Sequence, residues 1–246
     1  MVTSVAAPAR EARGRHRLRR TRRVLAAVVL TVAVLLGIAW VVTPGVGDAQ
    51  QLVSAELAAN GGTPLQGDVP DNLAQALIAT EDSRFDHHIG IDPIGAVRAG
   101  WGLLTGSDEG GSTLDQQLAK NLYAGGEQSF EDRVQSVVLA LKLDASWSKD
   151  QLLRMYLDDG YYGHGFYGLT AATHGYFGVE PVDLGWAQAT LLAGLFQAPT
   201  AYDPFLHPDL AKNRQQHVLN RLVAVGDLTQ DQADEIAAQS WDLVAG

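Results

Sequence analysis

The chain has 246 residues, of which 18 are basic and 28 acidic, a formal net charge of −10, and no cysteine. The lack of cysteine excludes disulfides, thiol nucleophiles and zinc–thiolate sites. The first 43 residues hold eight arginines and one glutamate, which leaves the remaining residues with a net charge of −17. This acidic part argues against nucleic acid as a partner, because nucleic acid binding needs a basic footprint.

The N-terminal end predicts a membrane anchor. Residues 10–23 carry the eight arginines, and the following twenty residues, 24–43, contain no charge. As a helix they would span roughly 30 Å, the thickness of the hydrocarbon core, and they exceed the ~7–15 apolar residues of a signal peptide. The positive-inside rule predicts residues 1–23 as a cytoplasmic tail, 24–43 as a single transmembrane anchor in the plasma membrane, and an extracytoplasmic remainder. A cleaved signal sequence is the alternative.

Residues 44–70 are rich in Gly and Pro and predict a membrane-proximal linker with one helical turn. From residue 71 to 246 we predict one mainly α domain, because strand-like alternation is scarce and helix start signals recur. Asp71 is predicted to cap a helix that ends at Glu81. Four further patterns resemble capping boxes: Ser112-x-x-Asp115, Ser129-x-x-Asp132, Ser148-x-x-Gln151 and Thr229-x-x-Gln232.

Glu81 is the first candidate for a catalytic residue. It lies at the C-terminal end of the predicted helix, where the helix dipole disfavours an anion. A glutamate whose pKa is raised toward neutrality is a good general base. The structural alternative is a salt bridge to Arg84 or Arg98.

Two further segments have patterns that suit ligands. Residues 110–121 place two glycines and two hydroxyls before a helix that carries Gln116 and Lys120, which suits an anion but also describes a glycine turn with a cap. Residues 158–168 hold four glycines and four aromatic residues, typical of a sugar site and equally of a surface turn.

Two other chemistries have weaker support in the sequence. His87, His88 and Asp92 could be imagined as metal ligands, but adjacent histidines point in different directions on most backbones, so we predict no metal site. A serine hydrolase of the α/β type would need a Gly-x-Ser-x-Gly elbow, and the sequence contains none.

Taken in order, these segments resemble glycosyltransferase family 51, the peptidoglycan glycosyltransferases found alone or as the first domain of class A penicillin-binding proteins. The similarity runs from about residue 70 to residue 239. The first motif of that family, Glu-Asp-x-x-Phe-x-x-His-x-Gly-x-Asp, is met at all six positions: Glu81, Asp82, Phe85, His88, Gly90 and Asp92. The second motif matches Gly110 through Asn121, with Asp115 in place of a threonine.

The resemblance implies a lysozyme-like, two-lobed helical domain that polymerises lipid II outside the membrane by inverting glycosyl transfer. Glu81 would be the general base, and undecaprenyl diphosphate would leave. The implied substrate-binding residues are Asp82, Phe85, His88, Ser112, Thr113, Gln116, Gln117, Lys120, Asn121 and Arg133. No cofactor is required, although the chemistry accommodates a divalent cation, Mg²⁺ or Mn²⁺. The implied partners are lipid II, the nascent glycan strand, the membrane, and a separate transpeptidase or other cell-wall synthase.

The third family motif, Arg-Lys-x-x-Glu-x-x-x-Ala-x-x-x-Glu, is degenerate in this chain. Aligned on Ala140, it places Asp132 at the arginine and Ser136 at the first glutamate, so the second acidic catalytic residue is missing. The alternative function is therefore an impaired relative that binds lipid II, glycan or a synthase as a scaffold. A lysozyme-like hydrolase is a further alternative, because it also needs an acid in a helical cleft.

Overall fold

The computed structural model describes residues 7–95, 97, 111–123 and 130–244, and their side chains except those of 7–19, 32 and 130–134. Within these residues the only β pairing outside the helices is an isolated bridge between Tyr161 and Tyr167. The predicted mainly α class is confirmed. The helices are α1 Ala7–Val42, α2 Ala49–Ala59, α3 Asp71–Glu81, α4 Leu114–Tyr123, α5 Phe130–Ser146, α6 Lys149–Asp159, α7 Leu169–Phe177, α8 Trp186–Leu195, α9 Pro208–Val225 and α10 Gln230–Ala238.

The chain divides into two compact units, Met1–Pro44 and Gly45–Gly246. Helix α1 belongs to the first unit. Its part Arg20–Val42 is 23 residues long and contains an 18-residue stretch with a mean hydropathy of 2.8, long and apolar enough to cross a membrane. One such helix near the N-terminus fits the predicted anchor.

The segment 44–70 differs from the predicted linker. It contains the three-turn helix α2, and Val46, Ala49, Val53, Leu57 and Leu65 are all buried. The many glycines and prolines around it suggested a tether, but a short helix with a buried apolar stripe gains its stability from tertiary packing. This part of the segment belongs to the folded domain.

Two groups of packed helices form the second unit. Helix α8 is buried at eight of its ten positions and packs against α3 and α9, which also contact each other. A helix that is apolar on nearly every side has to lie inside the domain. The other group is built on α4, which packs against α5 and α6, while α2 packs on α6. The C-terminal end of α3 faces the second group through Glu81.

The helix starts follow local side-chain chemistry, with some shifts from the predictions. Capping boxes at Ser148 and Thr229 are confirmed. The box before α4 is made by Thr113 and Gln116 rather than by Ser112 and Asp115. The predicted Asp71 cap is wrong, because the N-cap is Pro70 and Asp71 is already the first helical residue. The pattern at 129–132 lies outside the residues whose side chains are described.

Candidate active site

Glu81 is the last residue of α3, as predicted, and its side chain is 17% exposed. Each carboxylate oxygen has its own donor. Gln117 Nε2 on α4 donates to Oε2 at 3.3 Å, and Arg214 Nη2 on α9 donates to Oε1 at 3.3 Å. The two helix groups therefore meet at this carboxylate.

The electrostatic surroundings raise the pKa of Glu81 above its ordinary value. Burial is the largest cause; the hydrogen bond from Gln117 and the charge of Arg214 lower the pKa in part, and the charge of Asp82 raises it. A carboxylate with a raised pKa is a stronger base, which suits it to proton abstraction from a hydroxyl group near neutral pH.

Arg214 is a site residue that the sequence reasoning missed. Its Nε donates to the carbonyl oxygen of Gly194 at 3.2 Å, and a Cβ at position 194 would lie 3.0 Å from Arg214 Cγ. Glycine at this position therefore lets the arginine stem lie close against α8 while its guanidinium reaches Glu81. The sequence suggested a salt bridge from Glu81 to Arg84 or Arg98. Arg84 instead pairs with Asp92 at 3.2 Å, and Arg98 lies outside the described residues.

A cavity of about 150 Å³ opens at Glu81. Its other walls come from the end of α3, the turn before α4, and α9. Gln197 joins it from the segment after α8, and His217 joins it from α9, where no motif could have revealed it from sequence. The lining residues are Thr80, Glu81, Gly111, Ser112, Gln117, Gln197, Arg214 and His217.

A larger cavity, of about 430 Å³, shares the side chain of Gln117 with the first. Its size is in the range of small-molecule sites. Lys120 is exposed there and makes no ion pair with any residue in the described part of the chain. The lining residues are Glu56, Gln117, Lys120, Asn121, Tyr156, Asp159, Gly160, Tyr161, Tyr167, Phe196 and Pro199.

The aromatic loop predicted as either a sugar site or a surface turn contributes to this cavity. The rings of Tyr161 and Tyr167 lie 4.7 Å apart, and those of Tyr156 and Phe196 stack at 4.9 Å. Tyr162 is instead fully buried in the core. The loop therefore contributes Tyr161 and Tyr167 to the cavity and Tyr162 to the core, and sugar binding by the loop stays a prediction.

Hydrogen bonds link the first motif to the start of α4. Asp82 Oδ2 accepts hydrogen bonds from the Leu114 backbone N–H at 3.0 Å and from His88 Nε2 at 2.8 Å. The Thr113 hydroxyl donates to the Gly90 carbonyl at 2.7 Å. None of Asp82, Phe85, His88, Thr113 and Gln116 lines either cavity. Their predicted contact with substrate stays a prediction, while their contacts within the protein hold the two motifs together.

Gly90 allows α5 to pack against this layer. Its φ of +89° lies in the left-handed region, and a Cβ there would overlap the carbonyl oxygen of Ala140 on α5. Both the backbone conformation and the close approach therefore require glycine.

Asp115, at the position where the family has threonine, is an acid buried in the protein. Lys149 Nζ lies 3.4 Å from its Oδ2 and 2.7 Å from Asp144 Oδ1, whereas Asp115 Oδ1 has no hydrogen-bond partner among the described residues. Burial raises the pKa of Asp115 to about 6, although the charge of Lys149 lowers it in part. An ionised side chain at this position is costly to the fold.

Asp82, His88 and Asp115 each bring a ligand atom within 4.8 Å of the others, which raises the question of a cation. These three side chains fit a cation poorly as ligands. The Gly90 N–H donates to His88 Nδ1 at 3.1 Å, so the imidazole proton must lie on Nε2, which donates it to Asp82. A cation at Nε2 would displace that proton and leave an imidazolate. The ligand set considered from sequence, His87, His88 and Asp92, fits a cation no better. Asp92 already accepts hydrogen bonds from Arg84 and from the Ile94 N–H.

Arg154, Asp158 and Gln188 line neither cavity and make contacts within the protein. Arg154 donates to the carbonyls of Leu65 and Gly67, and Asp158 accepts from the Leu65 N–H at 3.0 Å. Gln188 completes the start of α8. Ser136 is half-buried on α5 and lines neither cavity. The side chains of Asp132 and Arg133 lie outside the described residues, so the role predicted for Arg133 stays a prediction.

Comparison with known proteins agrees with this arrangement. The family model described as transglycosylase matches residues 52–223, from α2 through most of α9, and so includes both cavities. The chain belongs to the transglycosylase family. The start of the match inside α2 also agrees with that helix being part of the domain.

Several relatives are penicillin-binding proteins. The chain is 40% identical to penicillin-binding protein 1F of Bacillus subtilis over 72% of its length, and 42% identical to penicillin-binding protein 1A of Neisseria gonorrhoeae over 69%. It spans only 25% and 21% of those two proteins. The crystal structure of penicillin-binding protein 1A from Haemophilus influenzae matches 74% of this transglycosylase chain and 18% of its own, with 19% identity and a TM-score of 0.45.

Proposed function

We propose that this protein is a peptidoglycan glycosyltransferase that polymerises lipid II into glycan strands on the outer side of the plasma membrane. The observation that carries the proposal is Glu81, a mostly buried carboxylate with a raised pKa that faces a cavity between two helix groups. Membership of the transglycosylase family supports the same reaction class.

In this proposal Glu81 acts as the general base. The 4-hydroxyl oxygen of the acceptor N-acetylglucosamine attacks C1 of the donor N-acetylmuramic acid on the face opposite the diphosphate. The C1–O bond to the diphosphate breaks as the new glycosidic bond forms, and its electron pair stays on the diphosphate oxygen. Glu81 takes the hydroxyl proton, and the configuration at C1 is inverted. Gln117 and Arg214 hold the two carboxylate oxygens and so fix the direction of the base.

The departing diphosphate needs positive charge. Lys120 supports this role, because it lines the larger cavity and has no acidic partner in the described residues. Ser112, which lines the cavity at Glu81, adds a hydroxyl donor. Removing one preorganised donor to a developing oxyanion typically costs about 3–4 kcal/mol of transition-state stabilisation. No step of this mechanism requires a metal ion.

The predicted anchor would keep the cleft near a lipid-linked substrate. Helix α1 supports this part of the proposal by its length and composition. Cross-linking of the glycan strands is an acyl transfer, and we assign it to a separate transpeptidase or another cell-wall synthase.

The test is incubation of the purified full chain with lipid II in detergent micelles and in liposomes. We expect polymer that muramidase digests to disaccharide units, together with released undecaprenyl diphosphate. Intact lipid II after incubation under both conditions would contradict the proposal. Soluble muropeptides released from isolated cell wall would instead indicate the hydrolase.

The sequence at position 136 favours a second candidate, a relative that binds lipid II or glycan as a scaffold. Binding without turnover would support it. The double variant Ser136→Glu and Asp132→Arg distinguishes the two, because polymer made by this variant and not by wild type would show that the natural chain is a non-catalytic binder.

A further inference from the structure

Asp159 is a second carboxylate of the cleft that the mechanism above does not use. It ends α6, is half-buried and lines the larger cavity. Asn121 Nδ2 donates to its Oδ2 at 2.7 Å, and among the described residues no cation pairs with it. Helix dipole and the neighbouring carboxylate of Glu56 both disfavour an anion here.

Asp159 and Glu81 are held in the same way by one face of α4. Gln117 binds Glu81 and Asn121 binds Asp159, and these amides are four residues apart, about 6 Å along the helix. Tyr156, three residues before Asp159 on α6, donates to Gln117 Oε1 at 2.8 Å. The two helices thus make two adjacent cross-links, and the amide that holds Asp159 lies about one helical turn along α4 from the amide that holds Glu81.

The remaining walls of the larger cavity suit a sugar ring. Tyr161, Tyr167 and Phe196 present aromatic surface, on which the apolar face of a pyranose can lie. An ionised carboxylate offers two acceptor oxygens with about four lone-pair sites, and a sugar offers several hydroxyl donors. Because Asn121 engages Asp159 Oδ2, Oδ1 is the oxygen left for a ligand in the described structure.

We propose that Asp159 is a sugar-binding residue, which accepts hydrogen bonds from the hydroxyl groups of an N-acetylhexosamine in the larger cavity. It thereby orients the glycan chain relative to Glu81. This inference rests on the proposed function for the identity of the sugar. It assigns substrate contact to one residue of the segment 158–168, for which the sequence left a sugar site and a surface turn as alternatives.

The protonation of Asp159 provides a specific readout. Burial raises its pKa to about 6, the hydrogen bond from Asn121 lowers it in part, and the charge of Glu56 raises it. The protonated acid loses acceptor capacity, so sugar binding should weaken as the pH falls through about 6. The other titratable groups around this cavity are Glu56, Lys120, Tyr156, Tyr161 and Tyr167, with Glu81 behind Gln117. These groups are the same in an Asp159 variant, so the difference from wild type reports Asp159.

The experiment measures the Kd of the full chain in detergent micelles for a soluble tetrasaccharide of alternating N-acetylglucosamine and N-acetylmuramic acid. Wild type, Asp159→Asn and the control Asp150→Asn are compared at pH 7.5 and pH 5. Asp150 is exposed on the same helix and lines neither cavity. We expect Asp159→Asn to bind roughly tenfold or more weakly at pH 7.5, the usual loss of a hydrogen bond to a charged group. Wild type should weaken toward the variant at pH 5, and Asp150→Asn should behave as wild type.

Equal affinity of wild type and Asp159→Asn at pH 7.5, or no binding of the tetrasaccharide by wild type, would overturn the inference. The measurement needs no turnover, so it separates this inference from the proposed function, which fails instead if wild type makes no polymer. Circular dichroism of each variant shows whether the fold is intact.

Discussion

At the scale of single residues, the balance around Glu81 decides how the cleft works. Burial favours the protonated acid, and Arg214 opposes it with a charge 3.3 Å from one oxygen. The acid could be found from sequence, because it lies at a helix end within a complete motif. Its partner could not, since the two residues are 133 positions apart and only the packing of α9 against α3 brings them together.

Arg214→Gln should shift the acid limb of the pH–rate profile to higher pH. Removing the cation raises the pKa of Glu81 further, so less of the base is ionised at a given pH. Polymerisation at pH 6 should therefore fall more than at pH 8.5, measured as kcat/KM for lipid II. The control is Arg221→Gln, because Arg221 on the same helix donates to the Ala79 carbonyl and not to Glu81. An acid limb that stays in place would show that Arg214 does not tune the base.

At the scale of helices, Asp115 is a buried acid that destabilises the start of α4. Its folded pKa, about 6, is above that of an unfolded aspartate, so the folded protein binds the proton more tightly. The fold consequently loses stability as the pH rises through this range. Asp115→Asn should stabilise the protein by roughly 1–3 kcal/mol at pH 7.5 and by much less at pH 4.5. Thermal unfolding of both proteins at the two pH values measures this, and an equal difference at both would contradict it.

Gly90→Ala should loosen the contact between the first motif and α5. The substitution imposes both a left-handed φ on alanine and an overlap with the Ala140 carbonyl, so we expect a loss of about 2 kcal/mol or more. Gly226→Ala is the matched control, since Gly226 has a φ of +93° and nothing within 4 Å of its Cβ position. It should lose only about 1–2 kcal/mol. Equal losses in urea unfolding would show that the packing against α5 contributes nothing.

The local signals in the sequence predicted some helices well and others poorly, for physical reasons. Ser148 and Thr229 were found because a capping box is a contact between residues three apart. Helix α2 was underestimated because its apolar stripe is stabilised by residues distant in sequence, such as the buried side chains on α6 that it packs against. His217 joined the site through tertiary packing alone, which no spacing rule predicts, whereas Asp159 lies in the segment 158–168, whose composition is also typical of a sugar site.

At the scale of the whole molecule, an apolar N-terminal helix precedes a domain whose two helix groups meet at the cleft. The double variant Leu30→Arg and Val34→Arg should be released from membranes, because each charge costs about 2.5–3.5 kcal/mol at the centre of a span. Carbonate extraction of membranes measures the retained fraction. The control is the double variant Leu206→Arg and Leu210→Arg, at exposed leucines of the second unit. This control protein should stay with the membrane. Equal retention of both variants would argue against α1 as the anchor.

The central claim is that the carboxylate of Glu81 takes the proton in glycosyl transfer. It is tested most directly by the single-turnover rate of lipid II consumption by wild type and Glu81→Gln, with Glu235→Gln, an exposed site on α10, as control. General-base catalysis predicts a rate about 10²- to 10⁴-fold lower for Glu81→Gln and an unchanged rate for the control. A Glu81→Gln protein that is folded, binds lipid II and consumes it at the wild-type rate would contradict the account.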